Sequence, residues 1–177
     1  MNETTLSPIP EEPIGILLAC HSNIRHQCES LKQLADHLMD HDTDDFASEL
    51  AAQITHYFDS TSSYHHEDEE TDLFPLIMNH AKGHDILELE LLFNQLALEH
   101  RLMQEAWSEL RPDLIALSAG HNVSFEPSLA HSFIDSVLQH LELEEADILP
   151  YAEKFLSLHE LGLLSKRMHA RRNKISE

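Results

Sequence analysis

A histidine and a glutamate four residues apart on a helix make a metal-chelating pair, and this sequence contains that pair twice in the same setting. His65-His66-Glu67-Asp68-Glu69-Glu70-Thr71-Asp72-Leu73-Phe74-Pro75 and His140-Leu141-Glu142-Leu143-Glu144-Glu145-Ala146-Asp147-Ile148-Leu149-Pro150 share the pattern His-x-x-x-Glu-Glu-x-Asp-apolar-apolar-Pro, 75 residues apart. Positions four apart stack on one helix face, so His65 with Glu69 and His140 with Glu144 each present an imidazole and a carboxylate about 6 Å apart along the axis. Each pair can bind one cation through nitrogen and share a second through oxygen. Imidazole plus carboxylate without thiolate suits iron, manganese or zinc.

Helices must carry these pairs. The 177-residue chain has only 4 Gly and 7 Pro, and the stretches between them are rich in Leu, Ala, Glu and Gln, all good helix formers. No alternating strand pattern interrupts them, so the expected fold is all-α: an antiparallel up-down-up-down four-helix bundle with a short fifth C-terminal helix, forming one domain over residues 1–177. A Pro-rich leader over residues 1–13 precedes helix 1, which runs from Pro13 to about His41 with Ile14, Leu17, Leu18, His21, Ile24, Cys28, Leu31, Leu34 and Leu38 at helical spacing. Asp42 to Asp45 supplies turn and N-cap chemistry for a second helix carrying Phe46, Leu50, Ile54, Phe58, His65, Glu69, Leu73 and Ile77 to about Ala81. Helix 3 starts near Asp85 and ends at Pro112, with Arg111 to Asn122 read as a loop that has room for a helical turn at Asp113 to Ser118. Helix 4 opens at Glu126-Pro127 and includes His140, Glu144 and Ile148. Ser157-Leu158-His159-Glu160 has the form of a capping box and predicts a capping helix over residues 158–172.

The turns offer a test by counting, because residues level with each other in an antiparallel hairpin are equidistant from its turn. His21 and His65 are centred at about residue 43, His65 and His100 at about 82.5 beside Gly83, and His100 and His140 at about 120, which is Gly120. All three centres fall in predicted turns. One histidine per helix is thus expected at one level, each within the apolar stripe of its own helix. A buried, unpaired imidazole or carboxylate costs several kcal/mol, and six together would undermine a domain whose net stability is about 5–15 kcal/mol. Metal coordination removes that penalty, so His21, His65, Glu69, His100, His140 and Glu144 are the candidate metal ligands.

Of the 15 histidines, His26, His37, His41, His56, His80, His84, His121, His131, His159 and His169 are expected at the surface. His66, Glu70 and Glu145 adjoin proposed ligands. A helix rotation of about 100° would exchange His65 and Glu69 for His66 and Glu70, but the stripe Phe58, His65, Glu69, Leu73 favours the first set. Glu70 and Glu145 then fit as hydrogen-bond acceptors behind the ligands.

The formal charge of −21, from 32 acidic and 11 basic residues, disfavours nucleic acid and anionic membranes as partners. The basic run Lys166, Arg167, Arg171, Arg172, Lys174 reads as charge suited to a helix C-terminus. Cys20 and Cys28 lie eight apart on one helix, about 12 Å along the axis, too far to bond. Reduced thiols, no signal-peptide pattern and no apolar run near about 18 residues point to a cytoplasmic protein that does not span a membrane.

The sequence resembles the hemerythrin-like, or HHE cation-binding, family. Cys20-His21-Ser22-Asn23-Ile24-Arg25, Glu99-His100-Arg101 and the two Glu-Glu-x-x-x-x-Pro segments carry the resemblance, and Leu163-Leu164-Ser165-Lys166-Arg167-Met168-His169-Ala170-Arg171-Arg172 resembles the C-terminal helix of bacterial members. It implies a bundle holding two irons per chain through the six residues above, and binding of a small diatomic ligand such as dioxygen or nitric oxide. In one respect the chain departs from the oxygen carriers: they have a fifth histidine four residues from the helix 3 ligand, where this chain has Leu96 and Gln104 around His100.

Overall fold

The computed structural model describes residues 13–60 and 62–173. Of the leader read over residues 1–13, only Pro13 lies among them. The described elements are α1 (Pro13–His37), α2 (Asp45–Ser60), α3 (Ser62–Glu67), α4 (Phe74–His80), α5 (His84–Ser118), α6 (Pro127–Leu143), α7 (Leu149–Phe155) and α8 (Leu158–Asn173), and no strand occurs among them. Two wide π turns, Asp68–Leu73 and Glu144–Ile148, join α3 to α4 and α6 to α7. The four arms of the bundle are therefore α1; α2 with α3 and α4; α5; and α6 with α7. α1 and α5 each pack against α2 and α6, while α8 lies across α1, α3 and the first π turn.

The apolar stripes fill the bundle in two separate clusters. Around Leu31, Leu34, Ile54, Leu110, Leu114 and Phe133 they close the end nearest the α1–α2 and α5–α6 turns. Around Leu17, Leu73, Ile77, Leu89, Leu96 and Leu164 they close the end nearest the α4–α5 turn. Leu161 and Leu164 of α8 are buried in that second cluster whereas Leu163 stays exposed, so the last helix caps the bundle. Its first turn forms the expected capping box: the Ser157 backbone N–H donates to Glu160 Oε2 at 2.9 Å and the Glu160 N–H to Ser157 Oγ at 3.3 Å.

Two boundaries differ from the sequence reading. α1 ends at His37 rather than His41, tightening into i→i+3 bonds from Met39 to Asp36 and Asp40 to His37. More substantially, Pro112 does not end helix 3: α5 runs through it to Ser118. An interior proline costs a helix about 3 kcal/mol, but the turn beyond it buries Leu114 and Leu117 completely, and full burial of each leucine contributes about 1.5–3 kcal/mol. Packing therefore outweighs the lost bond. The stop comes at Gly120, whose φ of 76° lets its N–H reach Leu117 O and that of His121 reach Ala116 O, closing the helix in a Schellman motif.

Pro112 is exposed, and Pro112→Ala restores a helical bond to the Ser108 carbonyl. We expect it to raise unfolding free energy by about 1–2 kcal/mol, the proline penalty less its restriction of the unfolded chain. A shift of the urea midpoint to lower concentration would contradict this account of α5.

Candidate metal centre

Between the two apolar clusters lies a polar layer. His21, His65, Glu69, His100, His140 and Glu144 come from four different arms, yet each is no more than 4% exposed. The structure brings all six together. One nitrogen or oxygen from each of His21, His65, Glu69 and Glu144 lies within 4.8 Å of the others, and the same holds for Glu69, His100, His140 and Glu144. The two groups share both carboxylates, one from each copy of the repeated motif.

Local structure explains the aim of these carboxylates. In both copies a proline stands six residues after the glutamate, at Pro75 and Pro150. Proline has no N–H, and its ring crowds the carbonyl four residues back. Just ahead of it the helix widens: Phe74 N–H bonds Glu69 O and Leu149 N–H bonds Glu144 O, five residues back in each case. The histidine of each pair stays on the regular helix before the wide turn, with His65 Nε2 3.3 Å from Glu69 and His140 Nε2 3.0 Å from Glu144.

Carboxylates behind the layer set the imidazole tautomers. His21 Nδ1 lies 2.8 Å from Glu145, His100 Nδ1 2.6 Å from Glu70 and His140 Nδ1 2.8 Å from Glu99. A neutral imidazole that donates from Nδ1 presents a lone pair at Nε2, and these Nε2 atoms point inward. His21 Nε2 is 3.3 Å from Glu144, and His100 Nε2 is 2.9 Å from His140 Nε2. The His100 and His140 Nε2 atoms are thus close enough to share one proton, and other acceptors converge around them. His21 Nε2, both nitrogens of His65, Glu69 Oε2 and both oxygens of Glu144 are buried with no hydrogen-bond partner. Unmet donors and acceptors of this kind are costly, and a convergent set of acceptors is what a cation fits.

Charge in the layer is correspondingly lopsided. Burial, reinforced by the charge of Glu144, pushes the Glu69 carboxyl well above the usual range. Burial would also raise Glu144, but the surrounding imidazoles of His100, His140, His21 and His65 hold it well below. Burial lowers His65, whereas at His140 it is outweighed by Glu144 and Glu99, which hold that imidazole above its ordinary value. Binding a cation here must displace any proton these groups hold.

Glu70 and Glu145 stand behind His100 and His21 as the sequence suggested, and Arg25 fixes Glu145 through bonds of 2.8 and 3.1 Å. Glu99 was missed, although it adjoins His100 as Glu70 adjoins Glu69. His66 lies beside the second group: its ring stacks on His100 with centroids 3.9 Å apart and planes 12° apart, and His66, His100 and His140 also have ligand atoms within 4.8 Å of one another. A cavity of about 520 Å³ reaches this side of the layer, lined by Phe58, His66, His100, Trp107, Phe133 and His140 among others. His21 and His65 do not line it, so the layer has an outer half at His100 and His140 and an inner half at His21 and His65. Of the remaining histidines, His37, His80 and His169 are half-buried rather than exposed; His37 and His80 pair with Asp44 and Glu160.

The sequence matches the hemerythrin HHE cation binding domain over residues 12–152. The chain belongs to that family. An uncharacterized protein of Haemophilus influenzae is 30% identical over 161 residues, spanning 91% of this chain and 90% of the relative. As a member of the HHE family the chain is a cation-binding bundle, and its buried layer contains His/Glu groups at the spacing a metal ion needs.

This HHE bundle braces the first motif from outside. Asp68 and Asp72, buried on either side of Glu69, receive Arg171 and Arg172 from α8: Arg171 bonds both, with Asp72 at 2.7 Å, and Arg172 reaches Asp68 at 2.6 Å. Arg167 adds a contact to Asp72 at 2.8 Å. The C-terminal arginines are therefore ion-pair partners rather than simple complements to a helix end; Lys174 lies outside the described residues. Burial raises the Asp68 carboxyl despite its two arginines, so desolvation there is the larger effect. Removing both arginines by Arg171→Ala with Arg172→Ala strands a buried carboxylate and is expected to destabilise the fold by about 3–5 kcal/mol. Arg111→Ala, at the more exposed pair with Asp59, is expected to cost under about 1 kcal/mol. Equal losses in urea unfolding would overturn this ranking.

Proposed function

We propose that this HHE domain is a non-haem di-iron protein that binds a small ligand such as dioxygen or nitric oxide, or reports iron or redox state through it. The observation that carries the reading is the set of orphaned, inward-facing acceptor atoms on His21, His65, Glu69 and Glu144, continued by the facing Nε2 atoms of His100 and His140. In this reading His21 and His65 would hold one cation, His100 and His140 the other, and Glu69 and Glu144 would serve both. Iron in such a set supplies reversible small-ligand binding and one-electron chemistry.

The protein's own groups do the rest. Glu145, Glu70 and Glu99 keep three imidazoles in the metal-binding tautomer. The two apolar clusters keep bulk water from both ends of the layer. The cavity beside His100 and His140 favours ligand entry on that side alone. Manganese and zinc would satisfy the same donors, and two carboxylates serving both ions of a buried pair would favour iron. The cytoplasm suits reduced iron and free thiols; burial raises the Cys28 thiol to about 12, which keeps it inert. Among the described residues no helix is long and apolar enough to cross a membrane.

A second reading rests on the cavity, whose volume of about 520 Å³ exceeds what a diatomic molecule needs. A di-iron enzyme reducing peroxide or nitric oxide, or repairing other metal centres, would use that space. Catalytic turnover with an electron donor favours it, and stoichiometric binding alone counts against it.

Anaerobic loading with ferrous iron should give two irons per chain, with visible bands that change on exposure to air or nitric oxide. His65→Ala and His140→Ala should each lose iron. His100→Ala should do so while circular dichroism stays helical, because the apolar clusters do not depend on it. No iron, or only loosely held zinc, in the wild-type protein would contradict the reading.

A further inference from the structure

The cavity meets the layer at a histidine that the six-residue set does not use. His66 is half-buried, stacks on His100, and hydrogen-bonds no described residue. Three of the four histidines in the layer differ from it in one way. His21, His100 and His140 each have a carboxylate on Nδ1 that fixes ring orientation and tautomer; His66 has none. Its plane is also wrong for joint ligation. A metal lies in the plane of each imidazole that binds it, and two rings stacked 12° from parallel with centroids 3.9 Å apart cannot both contain the same ion in their planes.

We propose that His66 is a distal histidine: it donates a hydrogen bond from the cavity side to a small anionic ligand held at the His100–His140 half of the centre. The inference rests on the metal-binding reading above and adds the residue that selects and retains the ligand. Three features agree with it. The ring lies on the cavity wall, where an entering ligand must pass. Its nearest ligand atom is within 4.8 Å of those of His100 and His140, so a ligand bound on the cavity side of that pair comes within its reach. The absence of a protein partner leaves an imidazole N–H free to donate outward. Ligands with a terminal lone pair and negative charge are favoured over neutral gases that accept hydrogen bonds weakly.

The test uses the full chain loaded with iron and azide as the probe. His66→Phe keeps an aromatic ring against His100 but removes the N–H; His66→Gln keeps a donor. Iron content and the spectrum before azide are expected to match wild type in both variants. Azide dissociation constants are expected to rise about tenfold in His66→Phe and to stay within about threefold of wild type in His66→Gln, the size of one hydrogen bond to a charged group. If the Phe variant does not fold, His66→Ala should show the same loss. An unchanged azide affinity without the N–H, or a Gln variant as weak as Phe, overturns the proposal. So does a variant that loses iron or changes its azide-free spectrum, since His66 would then be a resident ligand. Wild-type protein that takes up no iron sinks the di-iron reading and this one together, whereas normal iron and azide binding with an indifferent His66 sinks this one alone.

Discussion

Everything else in the structure is arranged around a cluster of acceptor atoms that have no partner but one another. Lone pairs of imidazole nitrogen and carboxylate oxygen converge in the middle of the bundle, with His100 and His140 nitrogens 2.9 Å apart and Glu144 within 3.7 Å of all four histidines. In water such groups would each be solvated. Held dry and close, they store a cost that protons relieve only in part, and the family match to a cation-binding domain gives that cost its physical purpose. The two apolar clusters then have a defined task, to supply enough packing on either side that the bundle tolerates the layer between them.

Holding six donors in register requires more than four helices. Carboxylates behind the histidines choose which nitrogen faces inward, and the two π turns open at the glutamates and shift the chain that follows by one residue from the ordinary helical step. The motif copies are not supported equally. Asp68 and Asp72 of the first are buried and pinned by α8, whereas Asp147, the second copy's equivalent of Asp72, is exposed. The short last helix thus stiffens one side of the layer, the side from which His65 and Glu69 come. The opposite asymmetry concerns access, because the cavity touches His100 and His140 but not His21 and His65.

Much of this was legible in the sequence where a periodic signal carried it. The repeated His-x-x-x-Glu-Glu-x-Asp-apolar-apolar-Pro segments and the three turn centres placed the four histidines level with one another, and helical spacing chose His65 over His66 for the inward face. What escaped were effects that depend on contacts between distant segments. Pro112 looked like a terminator because its local cost is known, while the burial of Leu114 and Leu117 that offsets it is a property of the assembled core. The π turns left a trace, a proline six residues after each glutamate, but backbone widening has no side-chain pattern of its own. Arg171 and Arg172 looked like charges suited to a helix end because their partners, Asp68 and Asp72, lie about a hundred residues away in the chain. His66 could not be settled either, since adjacent residues on a helix differ by about 100° and only the fold showed a cavity waiting on that side.

The central claim is that the polar layer is an energetic liability which cations convert into a source of stability. Equilibrium urea unfolding of the full chain, made metal-free and then titrated with ferrous iron under anaerobic conditions, tests it most directly. The account predicts that stability rises with added iron, that the rise follows ligand linkage, growing by about 1.4 kcal/mol per tenfold excess over the dissociation constant for each iron bound, and that changing Glu69 and Glu144 together to Gln abolishes it. Unfolding curves that are the same with and without metal would contradict the account, because the layer would then be satisfied by protons alone.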